Sequence, residues 1–358
     1  MLSVRHAILH AFDFEVGSLY LSEHELDMDE KLVKSYVRRH LRRCMASEQN
    51  MHGTFSDTSN FSEEMRLYLA HQTSFLDLSK EIATFFWETL RTCDDLVQAD
   101  LLVTDFEETE STKDSDAEGS EAELERAFDG EARRRFAVVL LPRSRTFMHS
   151  IEHPSGGAFN EIVRHDATLP NPSNRVDTYA LIDCEDLTIA FRDKARTIAE
   201  AEVWVIQNMF LQCSREPSSH EVIKTMEKIV EDIVESSPPG TLNTVEALSR
   251  TKASVAYSAE IDERVMPQEI GRQVFDEDPL LLERYEQATE EADLPEEISV
   301  RRAAARRLTK NHRIRTDTGI DITFPSDYSR ESRYLRFERQ EDGTISIIIA
   351  NVQSIENR

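Results

Sequence analysis

The sequence predicts an α+β fold: an antiparallel sheet with flanking helices, followed by a C-terminal helical and β-hairpin domain. Strand-like runs and amphipathic helices both occur, without the regular strand–helix alternation of a parallel sheet. The chain has 358 residues, more than a single core usually serves. The segment Glu216–Pro217–Ser218–Ser219 has the composition of a hinge. We therefore expect an N-terminal α+β domain over 1–215 and a C-terminal helical and β domain over 216–358.

In the predicted N-terminal domain, residues 4–21 indicate two short strands around Gly17, and 27–45 indicate an amphipathic helix. A second helix is expected near Asn60 and Glu63, which have the spacing of a capping box. An apolar stripe predicts a third helix over 75–86. Further segments are predicted as strands over 101–106, 136–141, 146–152, 159–165 and 178–191 and as a helix over 195–212.

The predicted C-terminal domain begins with a clear helix signal. Ser218 and Glu221 have capping-box spacing, and an apolar stripe follows as far as Val234. Pro238–Pro239–Gly240 ends this helix. Later segments are predicted as helices over 242–259, within 262–297 and over 298–310, and as strands over 314–324, 334–338 and 344–349, with a hairpin turn at Asp342–Gly343.

The charge of the chain is strongly acidic and unevenly distributed. The formal net charge is −26. Residues 105–131 hold 12 acids against two bases and residues 262–297 hold 13 against three, so each stretch carries −10 and the remainder only −6. A binding face can therefore be basic although the whole protein is acidic, because salt screens exposed charges beyond about 8 Å. Residues 107–131 lack an apolar cluster, so we expect a solvated, mobile insertion there.

Several functional classes find no support in the sequence. No signal peptide and no membrane-spanning run is recognisable, and Cys44, Cys93, Cys184 and Cys213 are scattered singly, as reduced cytosolic thiols are. No Walker, Rossmann, HExxH or GxSxG motif occurs. We expect a cytoplasmic protein that is not an enzyme and uses no cofactor and no metal.

Two patterns that resemble catalytic or metal sites have simpler interpretations. Asp317–Thr318–Gly319 matches the aspartic-protease triplet, which needs a second carboxylate, as a homodimer would supply. Its polar surroundings favour a turn. His149, His153 and His165 lie on predicted strands without a Cys or Glu that completes a metal site, so exposed strand histidines are the preferred interpretation.

Two basic segments are candidates for nucleic-acid contact. The first has no acid between Ser299 and Thr316 and comprises Arg301, Arg302, Arg306, Arg307, Lys310, Arg313 and Arg315. Guanidinium groups contact phosphates bidentately and release counterions. Alternatively, this segment pairs internally with the acidic residues of 276–297. The second candidate is the polar face of the helix predicted over 27–45, with Lys34, Arg38, Arg39 and Arg42; its alternative is an ordinary surface helix. The triplet Arg133–Arg134–Arg135 is interpreted as holding the acidic insertion.

Two parts of the chain resemble a known family. The run His52–Gly53–Thr54–Phe55–Ser56–Asp57 and the following helix Phe75–Leu76–Asp77–Leu78–Ser79–Lys80–Glu81–Ile82–Ala83 are similar to the N-terminal half of the bacterial nucleoid-associated proteins typified by NdpA and YejK. Residues 314–325 and 342–347 resemble the closing strands of that family more closely. The acidic insertion is longer than the family pattern.

The resemblance implies a location in the nucleoid and association with double-stranded DNA, and it implies no catalytic residue. The leading hypothesis is a nucleoid-associated protein that binds double-stranded DNA largely independently of sequence. The alternative is an acidic adapter that docks onto a DNA-bound partner, such as a type II topoisomerase, without touching DNA. The sequence leaves the oligomeric state open, a homodimer included.

Overall fold

A computed structural model describes residues 2–109, 132–152, 159–238, 244–302, 305, 312–324, 334–339 and 344–354. The chain divides into two compact units, Met1–Glu216 and Pro217–Arg358. The predicted α+β class is confirmed, because the first unit contains an antiparallel sheet with helices and the second combines helices with small hairpins. The greater part of the predicted acidic insertion, 110–131, lies outside the described residues.

The first unit is built on an antiparallel sheet. Its first nine strands are β1 (Leu2–Asp13), β2 (Ser18–Tyr20), β3 (Met51–Gly53), β4 (Ala99–Thr109), β5 (Ala132–Pro142), β6 (Ser144–Glu152), β7 (Phe159–Thr168), β8 (Tyr179–Asp183) and β9 (Ile189–Arg192). Seven of them form the sheet in the order β2-β1-β4-β5-β8-β9-β3, and β6 pairs with β7 in a separate ribbon. The strand β4 continues through Thr109, so Glu107 and Glu108 belong to the sheet rather than to the insertion.

The central strands are apolar at nearly every position because the sheet is covered on both faces. On β4, Leu101 and Val103 belong to one core cluster while Leu102 and Phe106 belong to another. The first cluster is completed by α2 (Asn60–Leu69) and α3 (Phe75–Leu90), and the second by α1 (Lys31–Met45). Adjacent residues of one strand therefore serve opposite layers, as the two-residue period of a strand requires.

The helix boundaries correct two predictions. Helix α2 is capped by Ser59, whose hydroxyl accepts the N–H of Ser62, so the capping box predicted at Asn60 is one residue too late. Helix α1 begins at Lys31 rather than at 27, because the acids before it lie in a turn.

The helix predicted over 195–212 is also wrong in its first half. Residues there form the hairpin of β10 (Ala195–Ile198) and β11 (Ala201–Trp204), and a π-helix covers Val205–Leu211. The buried Asp193 carboxylate accepts the N–H groups of Ile206 and Gln207 and so caps the π-helix. Burial raises the pKa of Asp193 to about 6 against the effect of these hydrogen bonds.

In the second unit, four helices whose boundaries are described pack around a separate core. They are α4 (Ser219–Glu235), α5 (Thr244–Asp262), α6 (Pro267–Val274) and α7 (Pro279–Glu291), with the short strands β12 (Arg264–Val265) and β13 (Ile298–Ser299) pairing beside them. The predicted capping box at Ser218 and Glu221 is confirmed with both of its hydrogen bonds. No helix among the described residues is long and apolar enough to span a membrane.

Two hairpins follow in the second unit: β14 (His312–Arg315) with β15 (Asp321–Phe324), and β16 (Leu335–Arg339) with β17 (Ile345–Ile349). The strand predicted over 314–324 is interrupted by a turn at Asp317–Thr318–Gly319, where Gly319 has a φ of +86°. The predicted turn at Asp342–Gly343 lies outside the described residues. The basic helix predicted over 298–310 is wrong at its start, because Ile298–Ser299 forms β13.

A buried histidine joins β1 to α3 in the first unit. The N–H of Ser22 donates to Nδ1 of His10 at 3.1 Å, so the proton of the neutral ring lies on Nε2, which donates to Ser79 Oγ at 3.1 Å. Burial, followed by the charge of Lys80, lowers the pKa of His10 to about 4. The folded state therefore requires the neutral imidazole.

This histidine should make the first unit less stable in mild acid. Its pKa falls from the usual 6.5 to about 4 in the folded protein. Between these two pKa values the unfolded chain binds a proton at this histidine and the folded chain does not. The free energy of unfolding therefore falls as the pH falls through this range, by about 3 kcal/mol in total. Urea unfolding of the wild type and of His10→Gln across this pH range measures the effect. The stability difference between them should shrink in acid; a pH-independent difference would contradict the prediction.

Candidate nucleic-acid interface

Helix α1 has one buried face and one basic face. Val37, Leu41 and Cys44 are buried on the second core cluster, where they pack against sheet residues such as Tyr179. The helix therefore presents its opposite side to solvent. That side carries Lys34, Arg39 and Arg42 of the second sequence candidate, whereas Arg38 is half-buried.

The exposed cations of α1 have no ion-pair partner among the described residues. Among the described residues, no carboxylate lies within 4 Å of the charged groups of the five that are exposed, namely Lys31, Lys34, Arg39, Arg42 and Arg43. Arg38, by contrast, is half-buried and makes contacts of its own. The sequence candidates Lys34, Arg39 and Arg42 are thus available to an external anion, and Arg38 is partly engaged in the fold.

The free cations form a continuous stripe. At about 1.5 Å per residue, the segment from Lys31 to Arg43 is about 18 Å long. At 100° per residue the five exposed cations spread over roughly half of the helix circumference, opposite the buried residues. No acidic residue interrupts the segment from Lys31 to Met45.

Two further arginines contribute positive charge on this side of the sheet, and sequence reasoning missed both. Arg175 is exposed, and Arg192 at the end of β9 donates from Nη1 to the carbonyl of Val176 at 3.3 Å. Burial raises the pKa of Tyr179 beneath α1, and the charges of Arg192 and Arg175 act against that rise. Nothing local in the sequence marks these residues, because they approach α1 only through the fold.

The triplet Arg133–Arg134–Arg135 does not offer unpaired cations as the exposed face of α1 does. Each guanidinium has a carboxylate partner within the sheet: Arg133 with Asp183 at 3.6 Å, Arg134 with Asp105 at 2.6 Å and Arg135 with Glu108 at 3.3 Å. The triplet therefore fastens neighbouring strands. Of the insertion predicted over 107–131, only 107–109 is described, and there the triplet contacts Glu108, which belongs to β4.

The first sequence candidate, 301–315, belongs to the second unit and is only partly described. Arg301 and Arg315 are exposed. Arg302 is tied to the end of α5, because its backbone N–H donates to Glu263 Oε1 at 3.3 Å and its Nη2 donates to the carbonyl of Ile261 at 3.4 Å. Arg313 lies on β14. Arg306, Arg307 and Lys310 lie outside the described residues.

Asp317 and His149, from the patterns that resembled catalytic or metal sites, make ordinary contacts within their hairpins. Thr318 donates its N–H to Asp317 Oδ1 within the turn that joins β14 to β15. Nε2 of His149 lies 3.1 Å from Oδ1 of Asn160 on the neighbouring strand. His153 lies outside the described residues, and within the described ranges no group of three or more His, Cys, Asp or Glu side chains is placed to hold a metal ion.

Comparison with known proteins agrees with the sequence resemblance. The chain matches the family described as nucleoid-associated protein YejK over residues 8–356, nearly its whole length. A search of curated proteins found no significant match. Because the family match spans both compact units, the chain belongs to the family of the nucleoid-associated protein YejK, as its sequence motifs predicted.

Proposed function

We propose that this protein binds double-stranded DNA in the nucleoid, largely independently of base sequence, and that the basic face of α1 makes the contact. The observation that carries the proposal is the stripe of exposed, unpaired cations on α1. A charged group already paired within the protein must give up its partner before it can bind phosphate. The five exposed cations of α1 have no such partner in the part of the chain that the structure describes, and membership of a nucleoid-associated family supports DNA as the anion.

The dimensions of the stripe suit a duplex. Double-stranded DNA carries one negative charge per about 1.7 Å of its axis, so a stripe of about 18 Å faces several phosphates at once. An α-helix also fits the major groove of B-DNA. The aromatic residue within α1, Tyr36, is half-buried and donates its hydroxyl to the carbonyl of Pro170. Phosphate contact on a duplex is therefore favoured over base stacking on a single strand.

Binding of wild-type protein to short duplexes tests the proposal. Labelled duplexes of unrelated sequence should bind with similar affinity, because contacts to phosphate carry no base information. The logarithm of affinity should fall linearly with the logarithm of salt concentration, with a slope of about −0.9 for each phosphate contacted. Fluorescence anisotropy across salt measures both. Failure to bind any duplex at low salt would overturn the proposal.

A second candidate function is the adapter that docks onto a basic, DNA-bound partner such as a type II topoisomerase. The observation that favours it is the acidic stretch 262–297. This stretch includes α6 and α7, and most of its carboxylates are exposed. A few of these acids are paired internally, as in Arg264–Glu297 and Arg272–Glu286. Salt-sensitive binding to the partner, together with no binding to duplex DNA, would favour the adapter.

A further inference from the structure

A small cavity in the first unit lies where the loop after α3 meets the start of β4, the end of β5 and the start of β10. Its volume is about 80 Å³. Phe14, Leu90 and Leu140 contribute to an apolar wall. The charged lining consists of Arg196 on β10, Lys194 just before it, and the carboxylates Asp95 and Asp177. The cavity thus combines an apolar wall with charged groups of both signs.

Arg196 is buried and has no ion-pair partner within 4 Å among the described residues. The residue is only 7% exposed. Its Nη2 donates to Thr178 Oγ1 at 3.2 Å, whereas its buried Nε has no hydrogen-bond partner, and within the described part of the chain no carboxylate lies within 4 Å of the guanidinium. A guanidinium offers five N–H donors, and burying such a charge unpaired is costly. The side chain therefore keeps a buried donor, Nε, that no group of the described residues satisfies.

Two of the neighbouring carboxylates, Asp193 and Asp177, already accept other hydrogen bonds. Asp193 accepts N–H groups from Ile206 at 2.6 Å, from Gln207 at 3.1 Å and from Lys194 at 2.9 Å. Asp177 lines the cavity and accepts the hydroxyl of Thr178 at 3.2 Å. If Asp193 turned to form an ion pair with Arg196, the N–H groups of Ile206 and Gln207 would lose their acceptor. The hydrogen bonds to the π-helix therefore hold this carboxylate in its observed position.

We propose that the cavity binds a small monocarboxylate with a short aliphatic tail, of the size of acetate or propionate. The carboxylate would accept hydrogen bonds from Arg196 beside Lys194, and the tail would lie against the apolar wall. The volume of about 80 Å³ is several times the roughly 10–15 Å³ of cavity volume that one water molecule needs. Asp95 and Asp177 also line the cavity and disfavour a more highly charged anion such as phosphate. This proposal does not rest on the proposed binding of DNA.

Propionate titration of the full-length protein tests the site, with chloride and phosphate at equal ionic strength as comparisons. Both tryptophans, Trp87 and Trp204, belong to the first unit, so tryptophan fluorescence during heating reports on that unit. Propionate should raise its unfolding temperature with an apparent Kd on the order of millimolar, as expected for so small a ligand. Chloride and phosphate should raise it much less. Equal effects of all three anions would overturn the proposal.

Substitutions locate the effect. Arg196→Met should abolish the response to propionate, and without propionate its unfolding temperature should equal or exceed that of the wild type, because an unpaired buried charge is removed. Arg196→Lys keeps the positive charge but loses the planar pair of guanidinium donors, so it should bind propionate about tenfold more weakly. This variant tests the proposal if Arg196→Met does not fold. Arg91→Gln, an exposed control, should respond as the wild type does. A normal response in either Arg196 variant would overturn the proposal.

Discussion

Replacing Lys34, Arg39 and Arg42 together by glutamine should weaken duplex binding about 100-fold at roughly 0.15 M salt. Each of these side chains is exposed and without an ion-pair partner among the described residues. Each phosphate contact that is lost removes the release of about 0.9 counterion, so the salt slope should become shallower by up to about 2.7. Such exposed, unpaired charges contribute little to folding, and the unfolding temperature should be nearly unchanged.

Anisotropy titrations of labelled duplex across salt measure both quantities. A charge-matched control variant replaces Arg91, Lys224 and Lys228 by glutamine, which are also exposed cations but belong to other helices or helix ends than α1. The control loses the same net charge and should retain most of the wild-type affinity and slope. Equal losses in the two variants would mean that only the overall charge of the protein matters.

The same measurement decides between the two basic segments. If the α1 variant binds as the wild type does and Arg301→Gln with Arg315→Gln binds weakly, the contact lies in the segment 301–315. Both arginines are exposed, so their substitution should not disturb the fold. This outcome would contradict the placement of the interface on α1 while leaving DNA binding itself intact.

Asp105→Ala should cost the first unit about 3–5 kcal/mol of unfolding free energy. The Asp105 side chain is fully buried and accepts from Arg134 Nη2 at 2.6 Å and from the hydroxyl of Tyr68 at 2.5 Å. Burial, followed by the hydrogen bond to Asp105, raises the pKa of Tyr68. Removing the carboxylate leaves an arginine and a buried phenol without their acceptor, and both must be desolvated without compensation.

Urea unfolding followed by tryptophan fluorescence measures this loss in the first unit alone, because both tryptophans lie there. The double variant Asp105→Ala with Arg134→Met should recover part of the loss, because it leaves no unpaired charge. Glu15→Ala is the control: it breaks the exposed pair Arg145–Glu15 of the same unit and should cost less than about 1 kcal/mol. A double variant whose cost equals the sum of the single costs would show that the two residues are not coupled.

The candidate interface was only partly predictable. A basic helix face follows from spacing alone, because residues of one helix have fixed relative positions. Whether a cation is free depends on partners from distant parts of the chain. Arg133 and Arg134 look as available in the sequence as Arg39 and Arg42 do. Their partners, Asp183 and Asp105, reach them only across paired strands, so the sheet alone separates internal cations from external ones.

The sequence by itself determined the α+β class, the capping box at Ser218 and Glu221, and the family to which the chain belongs. These features depend on contacts within a few residues or on motif identity. Only the tertiary structure decided that 195–212 forms a hairpin and a π-helix, since the π-helix is capped by Asp193. Only the tertiary structure buried Arg196 beside a cavity and left its Nε without a hydrogen-bond partner among the described residues. Local propensities differ by about 1 kcal/mol or less per residue, and long-range packing and pairing of that size or larger override them.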